Sequence, residues 1–311
     1  MKSFLYIAAA ATLLTSCHSL FGTYERNTAH TASFVEHLYR STPQQDSASI
    51  TTDTTSFGNL HWREVFNDAH LQQLISTALE RNADLRKAQL TIQQAEVGLR
   101  LNRLAYLPQI ALSPSVTVSK VFVEGMTTNE SYAFPAQASW QIDAFGKLYN
   151  AKKQGELSVL QAKSAKQAVQ TSIVAAVANL YYSLQMLDEQ LATTQATLKL
   201  WHKNIEAMTA MKEAGYTNSA ALASAKAQVL QIEATVPTLT DNISQAENAL
   251  CLLLHEAPHG IERGTFSSEN FPTSFSAGLP LSLLSSRPDV AIAEAKLANA
   301  FYGIQSARGA F

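Results

Sequence analysis

The stretch whose residue types and spacing come nearest to a catalytic metal site is His255-Glu256-Ala257-Pro258-His259. On a helix, His-Glu-x-x-His puts both imidazoles on one face to hold zinc, with the glutamate as general base. Pro258 and Gly260 break a helix here, so the two rings do not share a face, and the metalloprotease reading is set aside. The other histidines are scattered, and no Walker or dinucleotide loop is present. No Ser/His/Asp or paired-carboxylate site can be argued from position. The chain is read as a non-enzyme with no catalytic residue, cofactor or metal. Two cysteines remain, Cys17 and Cys251, and nothing in the sequence supports pairing them. Cys251 sits between Leu250 and Leu252 and reads as a small core residue.

Cys17 carries a different chemistry. Lys2 precedes an apolar run from Phe4 to Leu14. That run is too short to span a bilayer as a helix and fits a signal peptide. It ends Leu14-Thr15-Ser16-Cys17, small residues before a cysteine, as in the bacterial lipoprotein box. The expectation is cleavage after residue 16 and lipidation of Cys17; an ordinary signal peptide with a nearby free cysteine is the alternative. His18 follows where an Asp would resemble the inner-membrane retention signal. The expected address is therefore the outer membrane of a Gram-negative cell, with the chain lipid-anchored and extending into the periplasm. Residues 17–57 read as an extended lead segment rich in Ser, Thr and His.

A net charge of -2 gives no basic surface for nucleic acid. Charged residues are 15% of the chain, and 12 Gly and 9 Pro are few for 311 residues, which favours long, weakly charged helices. Leu71, Ile75, Ala78, Leu85, Ala88, Ile92, Ala95 and Leu99 predict a helix over 67–106, interrupted by Asn82 and closed by Leu107-Pro108. A second apolar stripe runs from Ile173 through Val177, Leu180, Leu184, Leu187 and Leu191 to Met208. It breaks at Gly215 and resumes from Leu222 to Leu253. This predicts a helical hairpin over 146–256, with a first arm of roughly 100 Å, too long for a compact globular domain. Pro237 should bend the second arm.

Between these helices the period changes to two. Ile110, Leu112, Val116 and Val118 alternate with small polar residues, as do Tyr132, Phe134, Ala136, Ala138, Trp140 and Ile142. This predicts a β-hairpin over 109–143, with two strands of about 12 residues joined by Glu124–Glu130, long enough to cross a bilayer. One apolar and one polar face suit a membrane barrel; an exposed hairpin of a soluble sheet is the alternative. Gln137, Ser139 and Gln141 fall on the polar face.

The end of the chain repeats an earlier part. At a constant offset of 205 residues, Asp84, Ala88, Ala95, Gly98, Arg103 and Ala105 match Asp289, Ala293, Ala300, Gly303, Arg308 and Ala310. A period this long indicates a duplicated unit. The domain reading is a first repeat over 58–258, a linker over 259–285 and the start of a second repeat over 286–311. Ser286, Pro288 and Asp289 suit a helix start, as do Asn82 and Asp84 in the first copy.

Four segments together resemble outer-membrane efflux proteins of the TolC/OprM type, most closely the lipidated branch serving resistance-nodulation-division pumps. They are Phe66–Leu85, Trp140-Gln-Ile-Asp-Ala-Phe-Gly146, Pro237–Leu254 and Leu279-Pro280 through Arg287-Pro288-Asp289-Val290. They follow the family's order over about residues 60–311. The resemblance implies a mainly α fold with a membrane β-hairpin. Long antiparallel helices form an α-barrel, and the strands join a trimeric outer-membrane β-barrel. It also implies a homotrimer that meets a periplasmic adaptor and an inner-membrane pump and touches outer-membrane lipid. Gly215, Tyr216, Thr217, Asn218 and Ser219 would then form the periplasmic tip facing the adaptor. Gln137, Ser139 and Gln141 would face the lumen. The implied activity is a passive conduit for drugs or metal ions. A channel for type I protein secretion and a non-transporting periplasmic coiled-coil lipoprotein or inactive remnant are the alternatives. His255 stands where the family usually has Gly, which puts the local turn in doubt, and the tip lacks the family's usual Asp. The family's second strand pair and second long helices are missing, so the sequence is expected to be a truncated reading of a longer gene.

Overall fold

The computed structural model describes residues 22–26, 61–122, 126–266 and 287–310, with the backbone alone at 121, 122 and 126–128. The described elements run α1 (Trp62–Val65), α2 (Ala69–Arg81), α3 (Ala83–Leu104), β1 (Gln109–Leu112), β2 (Ser115–Phe122), β3 (Met126–Ala133) and β4 (Ala136–Ser139). Then come α4 (Lys147–Glu213), α5 (Ser219–Glu233), α6 (Thr235–Leu254) and α7 (Pro288–Arg308). Two compact units divide the chain. The first comprises residues 1–41, 90–165 and 287–311, the second 42–89 and 166–286.

The second unit holds the core. Leu71, Ile75 and Ala78 of α2 meet Ile173, Val177, Tyr181 and Leu184 of α4 and Ile243, Leu250, Cys251 and Leu254 of α6. Most of these are stripe positions of the sequence pattern, but Tyr181, Cys251 and Leu254 are core residues off the stripe, and the stripe's Leu180, Leu187, Leu191 and Leu253 are only partly buried; each buried Leu, Ile or Val contributes about 1.5–3 kcal/mol. Tyr181 is fully buried and brings a hydroxyl into that core. The hydroxyl donates to Asp68 Oδ2 at 2.6 Å and accepts from the Gly264 amide at 3.2 Å. Burial, and then the Asp68 carboxylate, push its pKa up to about 12. Asp68 Oδ1 accepts from the amides of His70 and Leu71, so the same carboxylate caps α2.

Three expectations need correction. The helix expected over 67–106 is two helices, α2 and α3, because Asn82 leaves helical geometry at φ -61°, ψ 130°. Its Oδ1 accepts from the amides of Asp84 and Leu85, and its Nδ2 donates to the Leu253 carbonyl at 3.1 Å. One side chain thus caps α3 and ties the break to α6. The short helix α1 precedes the expected start. In the second arm of the hairpin, Pro237 lies in the first turn of α6, and the irregularity comes earlier, at Ala234. The proline ring crowds the carbonyl four residues back, at Glu233, which is where α5 ends. At the start of α7 the N-cap position is Arg287, without a side-chain cap bond; Ser286 lies outside the described residues. Pro288 and Asp289 fall in the first turn as expected. Arg287 holds the Asp289 carboxyl below the usual carboxylate range.

In the first unit both copies of the repeat lie on one stretch of α4. From α3, Asn102 Nδ2 donates to the Ala151 carbonyl at 3.0 Å. From α7, Asn299 Nδ2 donates to the Gln154 carbonyl at 3.2 Å, and Ser306 Oγ donates to that of Lys147 at 3.5 Å. Gly309 passes the backbone so closely that a Cβ there would stand 2.6 Å from the Phe145 carbonyl oxygen. Tyr24 and Arg26 lie along α7, through Tyr302 Oη at 3.3 Å and Glu294 at 3.2 Å.

The entry into α4 explains the segment Trp140–Gly146. Asp143 accepts from the amides of Leu148 at 3.0 Å and Tyr149 at 2.8 Å, at the positive end of a 67-residue helix. Gly146 turns the chain at φ 71°. Asp143→Ala removes both bonds and costs about 1 kcal/mol in a chemical denaturation experiment. An unchanged midpoint and slope would show that the cap contributes nothing.

Candidate functional site

The β-hairpin is two exposed two-stranded sheets, β1 with β4 and β2 with β3, whose faces are sorted by chemistry. β2 pairs antiparallel with β3, and β1 with β4. Pro114 and Pro135 interrupt the two strands, so each expected 12-residue strand is two shorter ones. The Ser113 amide still donates to the Pro135 carbonyl at 3.2 Å, which bridges the interruption. The expected connection over 124–130 is mostly strand, because β3 begins at Met126. β4 ends at Ser139, short of the expected residue 143.

Directly opposed residues share a face. One face pairs Ile110 with Ala138, Leu112 with Ala136 and Val116 with Tyr132. The other pairs Gln109 with Ser139, Ala111 with Gln137, Ser115 with Ala133, Thr117 with Ser131 and Ser119 with Asn129. The apolar face is uncovered among the described residues: Ile110 is 77% exposed, Leu112 73% and Tyr132 61%. Charges appear on that face only at its far end, where Glu130 opposes Val118 and Lys120 follows. Glu130 accepts from the Tyr132 hydroxyl at 2.8 Å. From Ile110 to Val118 the band measures about 26 Å at strand rise, close to the roughly 25 Å apolar band of outer-membrane barrels. At the near end Tyr106, Trp140 and Phe145 are exposed, and Trp140 Nε1 donates to the Tyr106 carbonyl at 3.1 Å. An aromatic ring with one polar handle suits a membrane interface.

Of the residues expected to face a lumen, Gln137 and Ser139 lie together on the polar face of β4, and Gln141 lies beyond the strand. At the helical tip, Gly215 closes α4 in the left-handed region at φ 79°. The Tyr216 amide donates to the Met211 carbonyl and the Gly215 amide to that of Lys212, the two bonds of a Schellman motif. Tyr216 is 82% exposed. Thr217 follows, Asn218 Oδ1 accepts from the Ala221 amide at 2.9 Å, and Ser219 opens α5.

The end of α6 repeats that geometry with the wrong residue type. His255 takes φ 57°, ψ 43°, and the amides of Glu256 and His255 donate to the carbonyls of Cys251 and Leu252. The turn that the missing glycine left in doubt therefore forms, with a histidine holding a conformation that favours glycine. His255→Gly is expected to stabilise the fold by about 1 kcal/mol; a lower thermal midpoint would contradict this reading of the turn. Because α6 stops at Leu254, His255 and His259 do not share a helix face. No cluster of three or more metal-ligating side chains exists among the described residues. Cys251 is buried in the core, and Cys17 lies outside the described residues.

Sequence reasoning missed Arg263. Its guanidinium engages both oxygens of Asp188 on α4, with Nη2 to Oδ1 at 2.9 Å, and also Glu247 on α6 and the Ile261 carbonyl at 2.8 Å. These carboxylates hold its pKa above the ordinary arginine value. Gln185 Nε2 adds a bond to the Gly264 carbonyl at 3.0 Å. The segment after α6 is thereby strapped across both helices. No local motif announces it, because the partners lie 75 and 16 residues away.

A family model described as outer membrane efflux protein matches residues 74–255. Probable outer membrane lipoprotein SilC of Salmonella typhimurium is 30% identical over 305 residues, covering 96% of this chain and 63% of that protein. Cation efflux system protein CusC of Escherichia coli K12 is 30% identical over 273 residues, covering 86% and 60%. The open state of the Neisseria gonorrhoeae MtrE outer membrane channel superposes with a TM-score of 0.70 at 26% identity, covering 86% and 63%. The chain thus spans about three fifths of the length of the relatives it matches.

Proposed function

This chain belongs to the outer membrane efflux protein family, and from that membership we propose that it is an outer-membrane channel component of a tripartite efflux system. The observation that carries the reading is the hairpin, whose register sorts apolar and small polar side chains onto opposite exposed faces. In a closed barrel the first face meets lipid and the second meets water. Gln137 and Ser139 then line the lumen, joined by Gln141 past the strand end. Cys17 carries the lipid anchor. The chain acts as a homotrimer. Its tip at Gly215–Ser219 meets a periplasmic adaptor, and an inner-membrane pump supplies the energy. Cargo is small, a drug or a metal cation, in keeping with the description of CusC as a cation efflux protein. Conduction depends on the polar lining.

Trp140 tests the membrane placement. With Trp62→Phe and Trp201→Phe it becomes the sole tryptophan. In outer-membrane vesicles its emission should be quenched most by lipids brominated near the headgroup and little by aqueous iodide. Quenching by iodide alone would place the hairpin in water and overturn the reading.

A further inference from the structure

The break between α2 and α3 opens a cleft of about 630 Å³ in the second unit. Its lining comes from residues around Asn82, from Lys166 and Gln170 of α4, and from His255 after α6. The charge of that lining is one-sided: Arg81, Arg86 and Lys166 stand against one carboxylate, Glu80. Arg81 is shared with Glu256, which lies outside the lining. The Arg86 guanidinium is exposed and unpaired among the described residues. Lys166 Nζ donates to Gln89 Oε1 at 2.8 Å, which steadies the ammonium and leaves two N–H groups to spare. The cleft also lies at the positive end of the 22-residue helix α3. Asn82 Oδ1 already takes the amides of Asp84 and Leu85, so α3 supplies its dipole rather than those N–H groups. Leu79 and Leu85 add an apolar patch. A volume of this size suits a small organic molecule better than a bare ion. His255 holds its strained turn at the same cleft, and strain of that kind persists where it serves a site.

We propose that this cleft binds a small organic phosphate. The free fork of Arg86 takes two phosphate oxygens in parallel, and Lys166 adds a point charge. His255 donates from the turn, and Leu79 and Leu85 pack against the organic part. A phosphate monoester, with a charge near -2, matches the surplus of the lining; a carboxylate brings half of it. His255 thereby accounts for its own cost: glycine would relax the turn but would leave the cleft without this donor. No bond is made or broken on binding. The site lies within one unit of one chain and stands whether or not the chain conducts.

The test titrates phenyl phosphate into the full chain in detergent at low ionic strength, by calorimetry, with inorganic phosphate and benzoate in parallel. One equivalent of phenyl phosphate should bind, at least about fivefold tighter than either of the others. Arg86→Gln, a surface change, should weaken it by about tenfold or more, and Lys166→Gln by about tenfold. Lys199→Gln removes a charge elsewhere on α4 and should leave the affinity unchanged. His255→Gly should raise the thermal midpoint and yet weaken binding, a split that a merely structural role would not give. Unchanged affinity in Arg86→Gln, or an equal loss in Lys199→Gln, would overturn the proposal. Benzoate or inorganic phosphate binding as tightly as phenyl phosphate would overturn the assignment of an organic phosphate.

Discussion

Leu112→Arg should destabilise the membrane-inserted protein by about 1–3 kcal/mol, whereas Ala111→Arg, one residue earlier, should cost less than about 1 kcal/mol. The two positions are adjacent in sequence and sit on opposite faces of β1, opposite Ala136 and Gln137 respectively. Both are exposed, so burial within the chain does not separate them. What separates them is the solvent on each side: a guanidinium about 7 Å inside the edge of an apolar band about 26 Å tall must leave water, and one on the polar face stays hydrated. Urea unfolding from lipid vesicles measures both. Equal effects would mean that the two faces meet the same medium.

Arg263→Ala should cost about 3 kcal/mol in chemical denaturation. The arginine side chain is 14% exposed and bridges Asp188 at 42% and Glu247 at 19%. The loss lies less in the ion pairs themselves than in leaving two carboxylates facing each other, partly desolvated, with no cation between them. Replacing all three groups by apolar residues should recover much of the loss, because the desolvation penalty disappears with the charges. A single-mutant effect below about 1 kcal/mol would show that the strap across α4 and α6 is a surface feature.

The long helix α4, Lys147–Glu213, matches the first arm of the helical hairpin expected from residue 146, because the apolar stripe from Ile173 to Met208 is unbroken and Gly215 marks its end. Asp143 and Gly146 start it, and Gly215 stops it. The break at Asn82 was visible as an interruption, but its depth depends on the Leu253 carbonyl 171 residues away. Strand pairing is legible from alternation, whereas the division of each strand is set locally by Pro114 and Pro135 and does not disturb that period. His255 shows the limit of residue preference: turn geometry was enforced by the chain on both sides against the residue's own tendency. The Arg263 strap left no trace in sequence, since an arginine and two carboxylates at such separations are common in any helical chain.

The most direct measurement of the central claim is a single-cysteine scan along Gln109–Ser119 in outer membranes, read with a membrane-impermeant thiol reagent. Positions 110, 112, 116 and 118 should be protected and 109, 111, 115 and 117 reactive, a period of two that follows the register of the hairpin. Uniform reactivity along both faces would contradict a lipid-facing, water-lining strand pair, and with it the channel.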